Sequence, residues 1–309
     1  MSNNFGIIQL KKYNKTFIYY TLQKISMVLE SLITPLCAEE RPWQMFFLGI
    51  LFSLVGVGFS IWVFEGQSSL VMVFLIVMAS TPIVFNTMKL EEKKDELEYK
   101  ETYLLKEHAK ALSLFMFLFA GIVFTCAAVY VFSPQEKIDA LFSVQTQAIM
   151  DVNSRVSGNV ITPDALPLIF LNNLKVLIFC ILFAFVYGVG AIFILVWNAT
   201  VIGVALGDFI RSQLGSFSAV LGYTSVSHYF EAISLGVLRY ATHGVFEILA
   251  YFIAGLAGGI ISISVVRHNF GTTKFDKVLL DSTGLLIISL VVLFIGAVIE
   301  VYITPLFFV

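Results

Sequence analysis

Seven side chains that can transfer a proton, contact an ion or hydrogen-bond strongly sit within otherwise apolar stretches. They are Asn172, Asn173 and Lys175 in one stretch, Asn198 in the next, His243 and Glu247 in a third and Glu300 in a fourth. Polar and ionisable groups are costly in such surroundings, so each is a candidate functional residue. His243 and Glu247 stand four apart and therefore share one face of a helix. That face continues through Ala250, Ala254 and Gly258, polar and then small, as a close helix–helix contact requires. Glu300 shares its face with Gly296 and Ala297. The expectation is that Lys175, Glu247 and Glu300 converge with Asn172 and His243 inside a bundle. Such a cluster either fixes helix register as a buried, hydrogen-bonded pair or lines a path for an ion or small solute.

Other chemistries are not indicated. His243 and Glu247 supply only two metal ligands, and the H-E-x-x-H pattern is absent. No serine nucleophile stands in a recognisable signature with its base. Cys37, Cys126 and Cys180 show neither metal spacing nor a disulfide framework. No catalytic residue, metal or cofactor is expected.

The elements that must position these residues follow from composition. Hydrophobic residues make up 58% of the 309 and charged residues 13%, about half the usual soluble share. Mean hydropathy is +0.90. A soluble protein has nowhere to bury so much apolar surface, so the chain is read as an integral membrane protein. A net charge of −2 leaves no basic footprint for nucleic acid. A spanning helix needs about 20 apolar residues. Stretches at 45–64, 70–88 (with a kink expected at Pro82), 112–132, 165–187, 191–209, 244–266 and 285–304 qualify. None alternates as a strand does, so the fold class is all-α, a polytopic transmembrane helical bundle of about seven spans. Gly188 and Gly190 mark a tight hairpin between the fourth and fifth spans. Gly203-x-x-x-Gly207 and Gly255-x-x-x-Gly259 suit close helix packing. Spans four to seven are expected to form the packed core, with the first three more peripheral.

Of the 19 Lys and Arg, 14 fall on the segments 1–44, 89–110 and 267–281, and 4 on the opposite side. By the positive-inside rule this puts the N-terminus in the cytoplasm and the C-terminus outside. Residues 1–44 form a cytoplasmic N-terminal segment without signal-peptide character, amphipathic at 16–36. Residues 45–132 make a three-span part whose cytoplasmic connection, 89–110, mixes both charge signs and reads as a solvated helical hairpin or an extension of spans two and three. Residues 133–164 are an external connection with an amphipathic stretch and a loop at 154–159. Residues 165–309 form a four-span core, in which 216–240 is a moderately apolar external segment, re-entrant or interfacial.

Within that core the residues resemble the stage II sporulation protein M family. The likeness rests on Phe170-Leu171-Asn172-Asn173-Leu174-Lys175-Val176, Gly188-Val189-Gly190, Asn198, His243-Gly244-Val245-Phe246-Glu247 with its Ala- and Gly-rich continuation to Gly255, and Ile299-Glu300-Val301-Tyr302-Ile303-Thr304-Pro305. It covers about 165–306. Thr242 stands where the family commonly has Pro, and Ala199 where it commonly has Gly. The resemblance implies a polytopic membrane protein without established enzymatic chemistry of its own. In spore formers the name-giving member works with cell-wall hydrolases during engulfment; a sporulation role is not implied here.

Two functions compete. One is a non-enzymatic scaffold in the cell membrane that organises partner proteins of the membrane or envelope. The other is a permease or channel-like component using the polar cluster. The expected partners are the lipid bilayer and other membrane or envelope proteins, a homo-oligomer being one arrangement left open. Nucleic acid is not among them.

Overall fold

A computed structural model describes residues 35–96, 101–156, 165–267 and 272–308. All but the last two residues of the expected surface helix at 16–36 lie outside these, as do residues 157–159 of the loop expected at 154–159, whose first half is helical. The described helices are α1 (Pro35–Glu40), α2 (Gln44–Phe64), α3 (Ser68–Glu96), α4 (Glu101–Phe132), α5 (Gln135–Val156), α6 (Ala165–Tyr187), α7 (Ala191–Leu221), α8 (Val226–Arg267), α9 (Thr273–Val298) and α10 (Thr304–Phe308). No strand occurs among the described residues, and the protein is an all-α bundle.

Among the described residues six segments are long and apolar enough to cross a membrane. The first, Gln44–Asp95, has 52 residues, and as a straight rod it would measure about 78 Å against a hydrocarbon core of about 30 Å. It doubles back instead. A 3-10 turn at Glu65–Gln67 separates α2 from α3, Ser68 Oγ donates to Ser60 O across it at 3.3 Å, and Gly56 lies against Met72 and Ile76. Counting α2 and α3 separately gives seven helices of spanning length. Pro82 lies within α3 without ending it.

The centre is α8. Every residue from Ala250 to Ile260 is buried, and a helix apolar on all sides belongs in the interior. Around it pack α3, α4, α6, α7 and α9. Small residues set the approach distances. A Cβ added at Gly255 would stand 3.0 Å from Ala191 Cβ, and one at Gly259 would stand 2.5 Å from Met88 Sδ. One at Gly203 would meet Cys126 Cβ at 2.6 Å and one at Gly207 would meet Tyr130 Cβ at 2.7 Å, which presses α7 against α4. Gly188 has φ +70°, the left-handed region that glycine tolerates, and it ends α6 so that the chain reverses into α7. Gly190 follows with no room for a side chain, 2.3 Å from Phe183 O at the Cβ position.

The second and third spans are therefore not peripheral, contrary to the sequence expectation, whereas α2 packs on them and not on α8. Phe115 and Phe119 of α4 hold Phe252 of α8 between them, and Met88 of α3 closes on Gly259. Helix α5 is drawn in as well: Gln145 is fully buried, accepts from Ser69 Oγ at 2.6 Å and donates to Thr200 Oγ1 at 3.3 Å.

Met88, Gly188 and Gly259 meet at one level, and beyond Met88 helix α3 turns charged. We take that level, where the charges begin, as one edge of the hydrocarbon zone. With 42 residues, α8 is about 63 Å long, roughly twice the core thickness. Its first turns, from Val226 to about Leu238, consequently project past the opposite, far edge together with the end of α7. The segment expected to be re-entrant or interfacial is the tip of this helical hairpin. Ile210, Leu214 and Ala232 form its core, with Tyr229 packed alongside. About 100° round α8 from that packed face, Val226, Phe230, Ile233 and Val237 recur at spacings of four, three and four, and all are exposed.

Candidate functional site

Two polar constellations lie on the bundle, one in the half of the membrane zone towards the far edge and one beyond the charged edge. The first is built on α6, α8 and the end of α9. Asn173 Nδ2 donates to Glu247 Oε1, and the Glu300 carboxyl lies close to that of Glu247. Glu247 is one turn from the buried stretch of α8, about 18 Å along the helix from Gly259 at ~1.5 Å per residue. Gly296 makes the meeting possible, since a Cβ there would stand 3.2 Å from Glu247 Cγ and from Phe246 Cβ.

Glu300 sits in a π-helical turn, Ile299–Ile303. Pro305 gives the local reason. In an α-turn its ring would crowd the carbonyl of Val301, and a wider turn relieves that clash. The Thr304 backbone N–H and its Oγ1 both donate to Ile299 O, the hydroxyl at 3.2 Å. His243 Nδ1 stands 3.3 Å from the same hydroxyl. With the Thr304 proton committed to Ile299, Nδ1 is the donor in that contact. Two carboxyl groups close together in apolar surroundings do not both stay charged without a proton or a cation beside them. The Asn173 amide fills a further lone pair.

Lys175 and Asn172 do not join it. Successive helical residues are about 100° apart, so when Asn173 faces α8, Asn172 and Lys175 face away, and both are exposed. Among the described residues no ion pair reaches Lys175. The expected Lys175–Glu247 pairing is thus replaced by Asn173–Glu247–Glu300. Asn198 donates to Ile194 O of its own helix at 2.7 Å.

The second constellation was missed in the sequence. Beyond the charged edge, His108 of α4 lies between two carboxylates of α3, with Nδ1 2.7 Å from Glu91 and Nε2 3.1 Å from Asp95. Lys94 donates to Glu91 at 2.5 Å and to Glu39 of α1 at 2.9 Å, and lies 3.4 Å from Glu107 of α4. Arg267, closing α8, donates to Glu92 at 2.7 Å. Glu91, Glu92, Asp95 and His108 are all buried, so the described parts of the connection, 89–96 and 101–110, are extensions of α3 and α4, the second of the two arrangements expected, with an ionic interior that is not solvated. Burial works against a charged imidazole, but Asp95 and Glu91 hold the His108 pKa up at about 9. Burial, reinforced by the charge of Glu91, pushes the Glu39 carboxyl up to about 8. Burial also opposes ionisation of Glu91, yet His108 and Lys94 keep that carboxyl below its usual range. Asp95 accepts no well-aligned hydrogen bond among the described residues, its contact with His108 being one of charge. The signal in the sequence was the spacing Val84, Met88, Glu91, Asp95, which continues the buried stripe of α3.

Comparison with known proteins bears on the whole bundle. The family model for stage II sporulation protein M matches residues 113–305, more than half of the chain. The chain belongs to the stage II sporulation protein M family. The match begins within α4, so the family unit includes the third span and α5 as well as the four spans on which the resemblance rested. An uncharacterized protein of Methanocaldococcus jannaschii is similar at 29% identity over 142 residues, 45% of this chain and 70% of that protein. No solved structure matches. Family membership and the apolar helices together make this a multi-pass integral membrane protein.

Proposed function

We propose that this family member is a non-enzymatic scaffold of the cell membrane, with its charged edge cytoplasmic, that holds partner proteins of the envelope against the far-side hairpin. The observation that carries this is the open stripe Val226, Phe230, Ile233 and Val237. It lies past the hydrocarbon zone, on a helix whose neighbouring face is already packed on α7. Phe230 is 69% and Val226 74% exposed, and Glu231 is the one Asp, Glu, Lys or Arg between residues 212 and 238. Exposed apolar area costs about 25 cal/mol per Å², and a contiguous stripe of this kind marks an interaction surface. In this reading residues 1–44 and 89–110 are the cytoplasmic parts, 133–164 is the external connection, and 165–309 carries the partner-holding core. A photo-crosslinking residue at Val226 in native membranes tests it. A discrete adduct with a second envelope protein, lost when Phe230→Glu and Ile233→Glu are added, is the expected result. Adducts to lipid alone overturn it.

A second reading, a permease or channel-like component, is favoured by the Glu247–Glu300 pair on its π turn, since paired carboxyls within spans are a usual device for moving protons or cations. Purified protein in proteoliposomes under an imposed pH or cation gradient separates the two. Flux that disappears in Glu247→Gln supports transport; tight vesicles support the scaffold.

A further inference from the structure

Helix α6 is two-faced. Asn173, Leu177, Cys180 and Ala184 turn inward, and Leu168, Asn172, Lys175, Phe179, Leu182 and Val186 turn outward and are exposed. The outward residues recur at three and four, the spacing of a seam that receives another helix. In the middle of this otherwise apolar seam stand an amide and an ammonium. Lys175 is about 15 Å from Ala165 and about 18 Å from Tyr187 along the helix, which is the middle of a core about 30 Å thick. A lysine side chain is less than half as long as either distance, so it cannot reach the head groups, as lysines near helix ends do. The acids that the described residues hold at the same depth, Glu247 and Glu300, are engaged inside the bundle, so those residues of a second copy offer Lys175 no counter-charge there.

We propose that the outward seam of α6 seats a transmembrane helix of a different protein, one that carries an Asp or Glu near its mid-span. The carboxylate pairs with the Lys175 ammonium and accepts from the Asn172 amide one turn away, and the aliphatic residues above and below pack without hydrogen bonds. This rests on the scaffold reading and names the kind of partner within the bilayer, distinct from whatever the hairpin holds outside it.

A photo-crosslinking residue at Phe179 of the full chain in native membranes tests it, read by mass spectrometry of the adduct. The expected adduct maps to a spanning segment with an Asp or Glu near its centre. Its yield falls roughly tenfold in Lys175→Met, survives in Lys175→Arg, and returns when Lys175→Glu is combined with Lys in place of the partner's acid. Because Lys175 is exposed, the variant does not disturb the packing of α6 on α8. Adducts that join two copies of this chain, adducts to spans without an acid, or a yield indifferent to Lys175→Met each overturn the proposal. The same experiment at Val226 keeps the readings apart: adducts at Val226 with none at Phe179 sink this inference alone, and none at either position sinks the scaffold as well.

Discussion

The two polar sites of this bundle solve the same problem by different chemistry. In the membrane zone, Glu247 and Glu300 meet with an amide, Asn173, and a hydroxyl–imidazole pair at the edge, and among the described residues no Lys or Arg pairs with them. Beyond the charged edge, Glu39, Glu91, Asp95 and Glu107 surround Lys94 and His108 with cations and anions interleaved. Where water and head groups are near, separated charges are affordable, and dense pairing keeps them together. In the bilayer a shared proton or a bound cation leaves less net charge in a medium that penalises it. The inner site therefore depends on each of its charges, whereas the membrane site depends on contact geometry and tolerates a neutral substitute.

That contrast breaks first at Lys94. Lys94→Met leaves Glu39, Glu91 and Glu107 buried or partly buried without their shared cation, and should cost about 3–5 kcal/mol, seen as a large drop in melting temperature of the detergent-solubilised protein. A drop of a few tenths would mean the network is solvated after all. Proton concentration gives the next largest effect. The folded pKa of His108, about 9, and of Glu39, about 8, are both raised above their ordinary values of 6.5 and 4.5. Raised groups contribute stability that is present below the unfolded pKa and lost as pH climbs through the folded one. Melting temperature should accordingly fall from about pH 4.5, where Glu39 starts to contribute, to about pH 9, with His108 supplying roughly 3 kcal/mol of the part above about 6.5 at ~1.36 kcal/mol per unit. His108→Gln should flatten much of the profile; an unchanged slope assigns the fall elsewhere. The smallest effect is expected at the membrane site. Glu247→Gln keeps an acceptor for Asn173 and gives Glu300 a donor, so stability should shift by about 1 kcal/mol or less in the same melting assay. A loss as large as that of Lys94→Met would show that the pair needs its charge.

The sequence made the membrane site visible because ionisable groups are scarce in apolar spans, so His243, Glu247 and Glu300 stood out one by one. It could not tell which of two adjacent asparagines turned inward. A step of 100° decides between Asn172 and Asn173, and the same step sends Lys175 outward. The inner site was hidden for the opposite reason. In a run as charged as 89–110, every residue is a candidate for solvent, and only the phase of the stripe from Val84 to Asp95 separates the buried members. Span counting succeeded because apolar length is additive along the chain. The projecting hairpin escaped because an apolar window reports where a helix can lie in lipid and not where it continues beyond.

Helix α8 runs unbroken from Val226 to Arg267 and is gripped tightly around Gly255, where small residues touch on several sides. It therefore has the geometry of a lever with unequal arms, about 44 Å towards the exposed tip and about 18 Å towards Arg267 at ~1.5 Å per residue. A tilt about that fulcrum reduces a displacement at the tip by a factor of roughly 2.4 and reverses its direction. A sideways swing of about 5 Å at Val226 is then a shift of about 2 Å at the Arg267 end, comparable with the 2.7 Å length of the contact to Glu92. The ion pair at one face of the membrane is, by its position on the rod, a gauge of the angle held at the other.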